Sequence, residues 1–217
     1  MADEIRAATF FDKFAGSFDT LYDGKRNALM RWVDRTWRRD MFIRYALTFD
    51  TLEPLTGKTV LDIGCGSGPY IVEALRRGAE RVTGVDPAPT MLSLAQQRLA
   101  SDDLTARVGL VEGYFPGAEL EPHDYAIVMG VLDYIEAPDL FLAELKPLVR
   151  ERAVVSFPSR HWFRTPFRRF RYRLRDCPVF FFDSAEIEAL AREAGFGTVE
   201  IRKIPGAGMD FHVCLVP

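Results

Sequence analysis

The stretch Thr59-Val-Leu-Asp-Ile-Gly-Cys-Gly-Ser-Gly68 constrains this chain more than any other. Thr59 to Ile63 is a short apolar, β-branched run of the kind that forms a buried parallel strand. Glycine then occupies positions 64, 66 and 68, followed by Pro69 and an apolar-periodic run from Tyr70 to Arg77. The pattern predicts strand, tight turn, helix. Glycines at such a turn remove Cβ atoms, so a ligand can lie against the backbone beside a helix N-terminus. Asp62 places a carboxylate where the strand is about to end. A small ligand carrying hydroxyls or an amine is expected there.

Downstream, strand and helix patterns alternate. Gly78 caps the first helix; a strand is expected at 81–86, a helix at 90–100 and a strand near 106–112. A strand at 125–129, a helix at 138–146, a strand at 153–157, a helix at 184–194 and a strand at 198–204 follow. Pro205-Gly-Ala-Gly-Met-Asp210 then links to a last strand at 211–216, which reads as a hairpin and makes the final pair antiparallel. Alternation of this kind implies a mostly parallel sheet covered on both faces, an α/β fold. Upstream, Phe10, Phe11, Phe14, Phe18, Leu21 and Tyr22 give a helix with an aromatic face, and 28–52 gives a second, Arg-rich helix. Residues 1–55 are expected to form a helical cap or lid, and 56–217 the main domain with a basic, aromatic insertion at about 159–182.

The net charge of −3 argues against a chain built around nucleic acid, because such proteins are usually strongly basic. No apolar run approaches the roughly 20 residues needed to cross a bilayer. The N-terminus lacks the basic-then-apolar order of a secretory signal. Cys65, Cys177 and Cys214 have no metal-type spacing, so no metal is expected, and a reducing cytoplasm is their simplest home.

In open α/β sheets ligands bind beyond the C-terminal ends of the strands. The first strand ends at Asp62 and Gly64. The second ends at Asp86, about twenty residues on, where a carboxylate commonly accepts ribose hydroxyls. The fourth ends at Met129-Gly-Val-Leu-Asp133-Tyr134, and the fifth at Phe157-Pro-Ser-Arg160-His161. A dinucleotide fingerprint wants G-x-G-x-x-G, but Pro69 stands where its third glycine belongs.

Val60-Leu-Asp-Ile-Gly-Cys-Gly-Ser-Gly68 resembles the first motif of class I S-adenosylmethionine-dependent methyltransferases. Val85-Asp-Pro-Ala-Pro-Thr-Met-Leu92 resembles their second motif, and His123-Asp-Tyr-Ala-Ile-Val-Met-Gly-Val-Leu-Asp-Tyr-Ile135 their "FDVV…VLEHI" stretch. Phe11-Asp-Lys-Phe-Ala-Gly-Ser-Phe-Asp19 is similar to an N-terminal helix common in these enzymes. The middle and tail are loosely similar to quinone-pathway and magnesium-protoporphyrin methyltransferases. The resemblance implies a Rossmann-like seven-stranded mixed sheet of order 3-2-1-4-5-7-6 with the last strand antiparallel. It also implies S-adenosylmethionine as cofactor, with S-adenosylhomocysteine as product.

Carried over by position, Gly64, Cys65, Gly66 and Gly68 approach the methionine and ribose parts, and Asp62 orients the amino group or the turn. Asp86 and Pro87 lie at the ribose, Met91 at the adenine, and Met129 and Gly130 along the cofactor. Tyr22 belongs to the N-terminal lid. After the third strand the family often has Gly-Asp, whereas this chain has Gly113-Tyr114, leaving adenine to Tyr114, the backbone or Glu112. At Tyr134 the family's "EH" members carry histidine.

Methyl transfer needs nucleophile, methyl and sulfur held in line, with a base in reach for an oxygen nucleophile. His161 and His212 are expected on the ligand side and Tyr134 beside them, so these three are the catalytic candidates. His123 falls at the opposite end of the sheet. Residues 160–175 hold seven arginines and no acid, with Phe163, Phe167, Phe170 and Leu174 on one face. Such a segment can cap a substrate, touch a membrane surface or contact nucleic acid. Arg160, Trp162 and Arg164 are the substrate candidates. The "N/D-P-P-Y" motif of amino-nitrogen methylating enzymes is absent.

The expectation is therefore methyl transfer to a small-molecule acceptor, at an oxygen of an apolar or aromatic compound with an anionic handle. A monomer or homodimer is expected, with peripheral membrane contact through 160–175 open and nucleic acid not expected. N- or C-methylation of a small molecule, and a non-catalytic cofactor-binding or membrane- or nucleic-acid-associated module, remain the alternatives.

Overall fold

A computed structural model describes residues 39–160, 179–205 and 210–217, together with Arg6 and Thr9. Helix α1 (Arg39–Leu52) leads into strand β1 (Thr59–Ile63), and the glycine turn joins β1 to helix α2 (Pro69–Arg76). Strand β2 (Arg81–Asp86), helix α3 (Pro89–Ser101) and strand β3 (Val108–Glu112) follow, with a 3₁₀ turn at Thr105–Arg107. Strand β4 (His123–Val128), helix α4 (Pro138–Leu145) and strand β5 (Val149–Phe157) come next. Helix α5 (Ser184–Glu193) and strands β6 (Thr198–Lys203) and β7 (Phe211–Val216) complete the order.

The strands form one sheet of order β3-β2-β1-β4-β5-β7-β6. β1, β2, β3, β4 and β5 pair in parallel, and β7 runs antiparallel to both β5 and β6. This is the order and the reversed last strand that the motifs imply. The hairpin is closed by Ile204 N–H donating to the Asp210 carbonyl at 2.8 Å.

Successive strand residues point to opposite faces, so each buried strand feeds two cores. Leu61, Ile63, Ala126, Val128, Val155 and Phe157 pack on one face with Phe141 and Leu142 of α4 and Ile187 and Ala191 of α5. Val60, Tyr125, Ile127 and Val154 pack on the other with Phe49 and Leu52 of α1 and Ile71 and Leu75 of α2. Asp62, one residue on from Leu61, therefore belongs to the face of α1 and α2.

Helix α1 carries two stripes. Tyr45, Phe49 and Leu52, at i, i+4 and i+7, enter the apolar core; Arg44, Thr48 and Thr51 repeat the spacing one residue earlier. Residues 39–52 of the expected N-terminal cap are thus packed on the sheet, with Phe49 and Leu52 fully buried.

β5 begins four residues before the apolar run that predicts it. Its polar start survives in the sheet because each side chain finds a partner there. Glu151 pairs with Lys58, Arg150 with Asp124, and Arg152 donates to the Thr51 carbonyl at 2.8 Å.

Beyond β5, residues 179–183 run back beside 158–160. Ser159 and Phe182 form a parallel bridge, Phe182 N–H donates to the Pro158 carbonyl at 2.9 Å, and Arg160 N–H donates to the Phe182 carbonyl at 3.0 Å. The two ends of the basic insertion therefore meet at the ligand end of the sheet. No helix among the described residues is long and apolar enough to cross a membrane.

Candidate active site

The glycine turn is built by backbone hydrogen bonds that its side chains leave room for. Gly64 and Cys65 N–H both donate to the Val85 carbonyl, at 2.8 and 3.1 Å, tying the turn to β2. Gly64 has φ 72°, and a Cβ there would collide with Cγ2 of Val131. Gly66, at φ 52°, faces open space instead, which leaves its backbone accessible to a ligand.

Asp86 organises the same turn from the neighbouring strand. Its Oδ2 accepts from Gly66 N–H at 2.8 Å and its Oδ1 from Ala88 N–H at 2.9 Å. Burial raises its pKa, and those two amides pull it back down. Each oxygen keeps a lone pair for a further donor. Pro87 follows directly. Ala88 and Met91 are buried together with Leu94 packed against them, an apolar floor beside the β2 terminus. Gly113 N–H donates to the Asp86 carbonyl at 3.2 Å, bringing the β3 terminus to the same edge, where Tyr114 stands 39% exposed. Cys65 is buried and its thiol is pushed up by burial and the two nearby carboxyls.

Asp62 is only 1% exposed, and its Oδ2 is buried without a hydrogen-bond partner. Burial first, and the charge of Asp86 second, push its pKa up to about 8. A buried carboxylate oxygen left without a donor is costly, and it is a receptor for a cationic or N–H group brought by a ligand. This orphaned atom beside the accessible Gly66 backbone fits the amino-acid end of S-adenosylmethionine, while Asp86 and the Met91 floor fit ribose and adenine.

At the β4 terminus Met129 is buried, and Gly130 N–H donates to Ser156 Oγ of β5 at 2.8 Å. The Arg44 guanidinium nitrogens lie 3.8 and 3.9 Å from where a Gly130 Cβ would stand. Arg44 brings a cation to this turn that sequence reading missed, because it is one arginine of an Arg-rich helix. Its spacing with Thr48 and Thr51 is the signal that sets it apart.

Among the catalytic candidates, Tyr134 is half-buried in the turn after β4, its N–H donating to the Val131 carbonyl at 2.9 Å. His212 lies on β7 opposite Ser156, 1% exposed, with Nε2 lacking a partner. His123 is at the far end of the sheet, bonded to the Glu121 carbonyl and to Thr83 Oγ1 at 2.7 and 2.9 Å. Arg160 is engaged with Glu186, Asp183 and the Phe181 carbonyl rather than projecting alone. Tyr22, His161, Trp162 and Arg164 lie outside the described residues.

Residues 60–152 match the protein family described as "Methyltransferase domain". This segment is a methyltransferase domain. Two curated relatives of this chain are both called tRNA U34 carboxymethyltransferase. The protein of Idiomarina loihiensis is 36% identical over 124 residues, 55% of this chain and 37% of the relative. That of Vibrio cholerae is 32% identical over 180 residues, 78% of this chain and 53% of the relative. The matches thus span between about a third and a half of those relatives' length. Among solved structures, magnesium protoporphyrin IX methyltransferase from Synechocystis, with bound S-adenosylhomocysteine, has the same fold. It superposes with a TM-score of 0.74 at 20% identity, covering 99% of both chains. A Haloferax volcanii methyltransferase solved in complex with the Trm112 activator gives a TM-score of 0.69 at 20% identity, covering 95% of this chain and 96% of that one.

These relatives overturn one expectation. Proteins named for a tRNA substrate share more than half of this chain, so a net charge of −3 does not set nucleic acid aside. Net charge sums the whole surface, whereas phosphate recognition needs only a local cluster of cations. The relatives' tRNA names also tell against the small-molecule acceptor, and the Haloferax neighbour of the same fold is itself solved as a hetero-complex rather than a monomer or homodimer. Membrane contact through 160–175 rests on residues that, apart from Arg160, lie outside the described ones.

Proposed function

We propose that this chain transfers the methyl group of S-adenosylmethionine to an oxygen of a tRNA nucleoside. The observation that carries the donor half is the orphaned Oδ2 of Asp62 beside the Gly66 backbone. S-adenosylmethionine supplies a sulfonium-bound carbon open to direct displacement. The chain's part is to bind, orient and exclude water. In this reading Asp62 takes the amino group, Asp86 the ribose hydroxyls, and Met91 with Tyr114 the adenine. Arg44 at the Gly130 turn offers a cation to the donor carboxylate.

The acceptor half is supported by the tRNA names of the curated relatives and by the seven arginines of 160–175. The segment follows β5 in the chain, and arginines suit bidentate contact with phosphates. His161, Trp162 and Arg164 stand in it as acceptor contacts.

The test is to incubate the protein and unmodified tRNA with methyl-tritiated S-adenosylmethionine, digest the RNA and separate its nucleosides. Label in one nucleoside supports the reading. Tight donor binding with no label in RNA defeats the acceptor half.

A further inference from the structure

Two of the buried polar atoms left without a partner in the described residues belong to titratable acids or bases on the strands: Asp62 Oδ2 and His212 Nε2. Both residues sit on the same face of the sheet. Asp62 follows the parity of Val60, whereas Ser156 follows that of Val154, and His212 is paired with Ser156. Two strands, β4 and β5, lie between β1 and β7 in the sheet, so three steps of roughly 4.8 Å put the two about 14 Å apart. Asp62 is absorbed by the donor site. His212 is not.

The surroundings of His212 are unusual for a core histidine. Ser156, its partner on β5, accepts the Gly130 N–H, so His212 lies two strands over from the turn that ends β4, on the same face and with Ser156 between them. α1 covers this face and brings Arg44 to Gly130. The charged groups acting on the ring are Arg202 from β6 and Arg44 from α1; its β5 partner is the uncharged Ser156. Both cations and burial disfavour a second proton, and the pKa is lowered to about 4. The imidazole is therefore neutral at physiological pH. A neutral ring whose Nε2 is buried without a partner offers a lone pair that wants a proton donor.

We propose that His212 is the general base of the transfer, its Nε2 accepting the hydrogen of an acceptor hydroxyl held at the Gly130 turn. The acceptor O–H bond breaks and its proton goes to Nε2 as the oxygen bonds to carbon. The carbon–sulfur electron pair stays with sulfur, and the imidazolium afterwards returns its proton to water. The acceptor is accordingly a hydroxyl rather than an amine or a carbon. This rests on the transfer reading proposed above.

The test compares the parent with His212→Ala and His212→Gln, using anticodon stem-loop RNA and S-adenosylmethionine. Glutamine can accept the hydrogen bond but not the proton. Both variants should keep donor affinity within about threefold by calorimetry and lose turnover at least about a hundredfold. Their residual rate should climb with pH, while the parent's stays flat from about pH 5.5 to 8. In the parent, the ¹⁵N signal of His212 Nε2 should shift on adding the RNA without donor. Turnover restored by His212→Gln, or an unshifted Nε2 signal, overturns the proposal. Loss of donor binding in both variants overturns it too, since it makes His212 a packing residue. A parent that binds donor but labels no RNA instead defeats the transfer reading itself, and the base assignment with it.

Discussion

Asp86 Oδ2 accepts the Gly66 N–H at 2.8 Å, so the carboxylate that ends β2 also holds the turn that ends β1. The same side chain caps the Ala88 amide through its other oxygen. Asp86→Ala should thus remove two charge-assisted hydrogen bonds together with the ribose contact. A loss of about 2–4 kcal/mol in urea denaturation is expected, with donor affinity down more than about a hundredfold by calorimetry. Unchanged donor binding would show that the ribose is held elsewhere.

Asp62 gives the protein a pH dependence of defined sign. Its folded pKa, near 8, stands above the roughly 3.9 of an unfolded aspartate. Between about pH 4 and 8 the native state holds a proton that the unfolded chain has lost, so this group's stabilising contribution declines as pH rises through that window. Asp62→Asn should flatten that decline when unfolding midpoints are compared at pH 5 and pH 8. The donor's ammonium favours the ionised carboxylate, so binding at pH 7 should release close to one proton. Calorimetry in buffers of different ionisation enthalpy measures that release, and Asp62→Asn should abolish it.

Gly64 meets two constraints at once, a positive φ and the Cγ2 of Val131. Gly64→Ala should cost about 1–2 kcal/mol for the left-handed backbone alone, and more for the collision. Adding Val131→Ala should recover the steric part and leave the backbone part. Thermal melts of the single and double variants separate the two.

At the start of α5 the ranking of two substitutions is predictable. Asp183 accepts from Ala185 and Glu186 N–H, and Glu186 reaches back to Asp183 N–H, a complete capping box. Arg160 bridges to Glu186 from the surface, with a side chain 54% exposed. Asp183→Ala should cost about 1 kcal/mol and Arg160→Ala less than that, because an exposed ion pair contributes about 0.2–1 kcal/mol. The reverse order in chemical denaturation would mean that Arg160 matters to the fold through its carbonyl contacts.

Elements and their order are readable from the chain because they rest on local pattern. The β-branched run before Gly64, the periodicity of 69–77 and the short link to the last strand predict parallel strands and a reversed final one. Asp86 is legible for the same reason: it closes a strand at a fixed distance from a glycine turn. The polar start of β5 is not legible, because Arg150, Glu151 and Arg152 join the sheet only through partners at Asp124, Lys58 and Thr51.

The active-site chemistry divides along the same line. The glycine spacing with Pro69 sets aside a dinucleotide and points to the methyl donor within one contiguous stretch. That Asp62 has an unpaired oxygen, that Arg44 reaches Gly130, and that His212 lies beside Ser156 are relations between residues far apart in the chain. Burial and strand pairing create them, and no local pattern encodes which polar atom packing leaves without a partner.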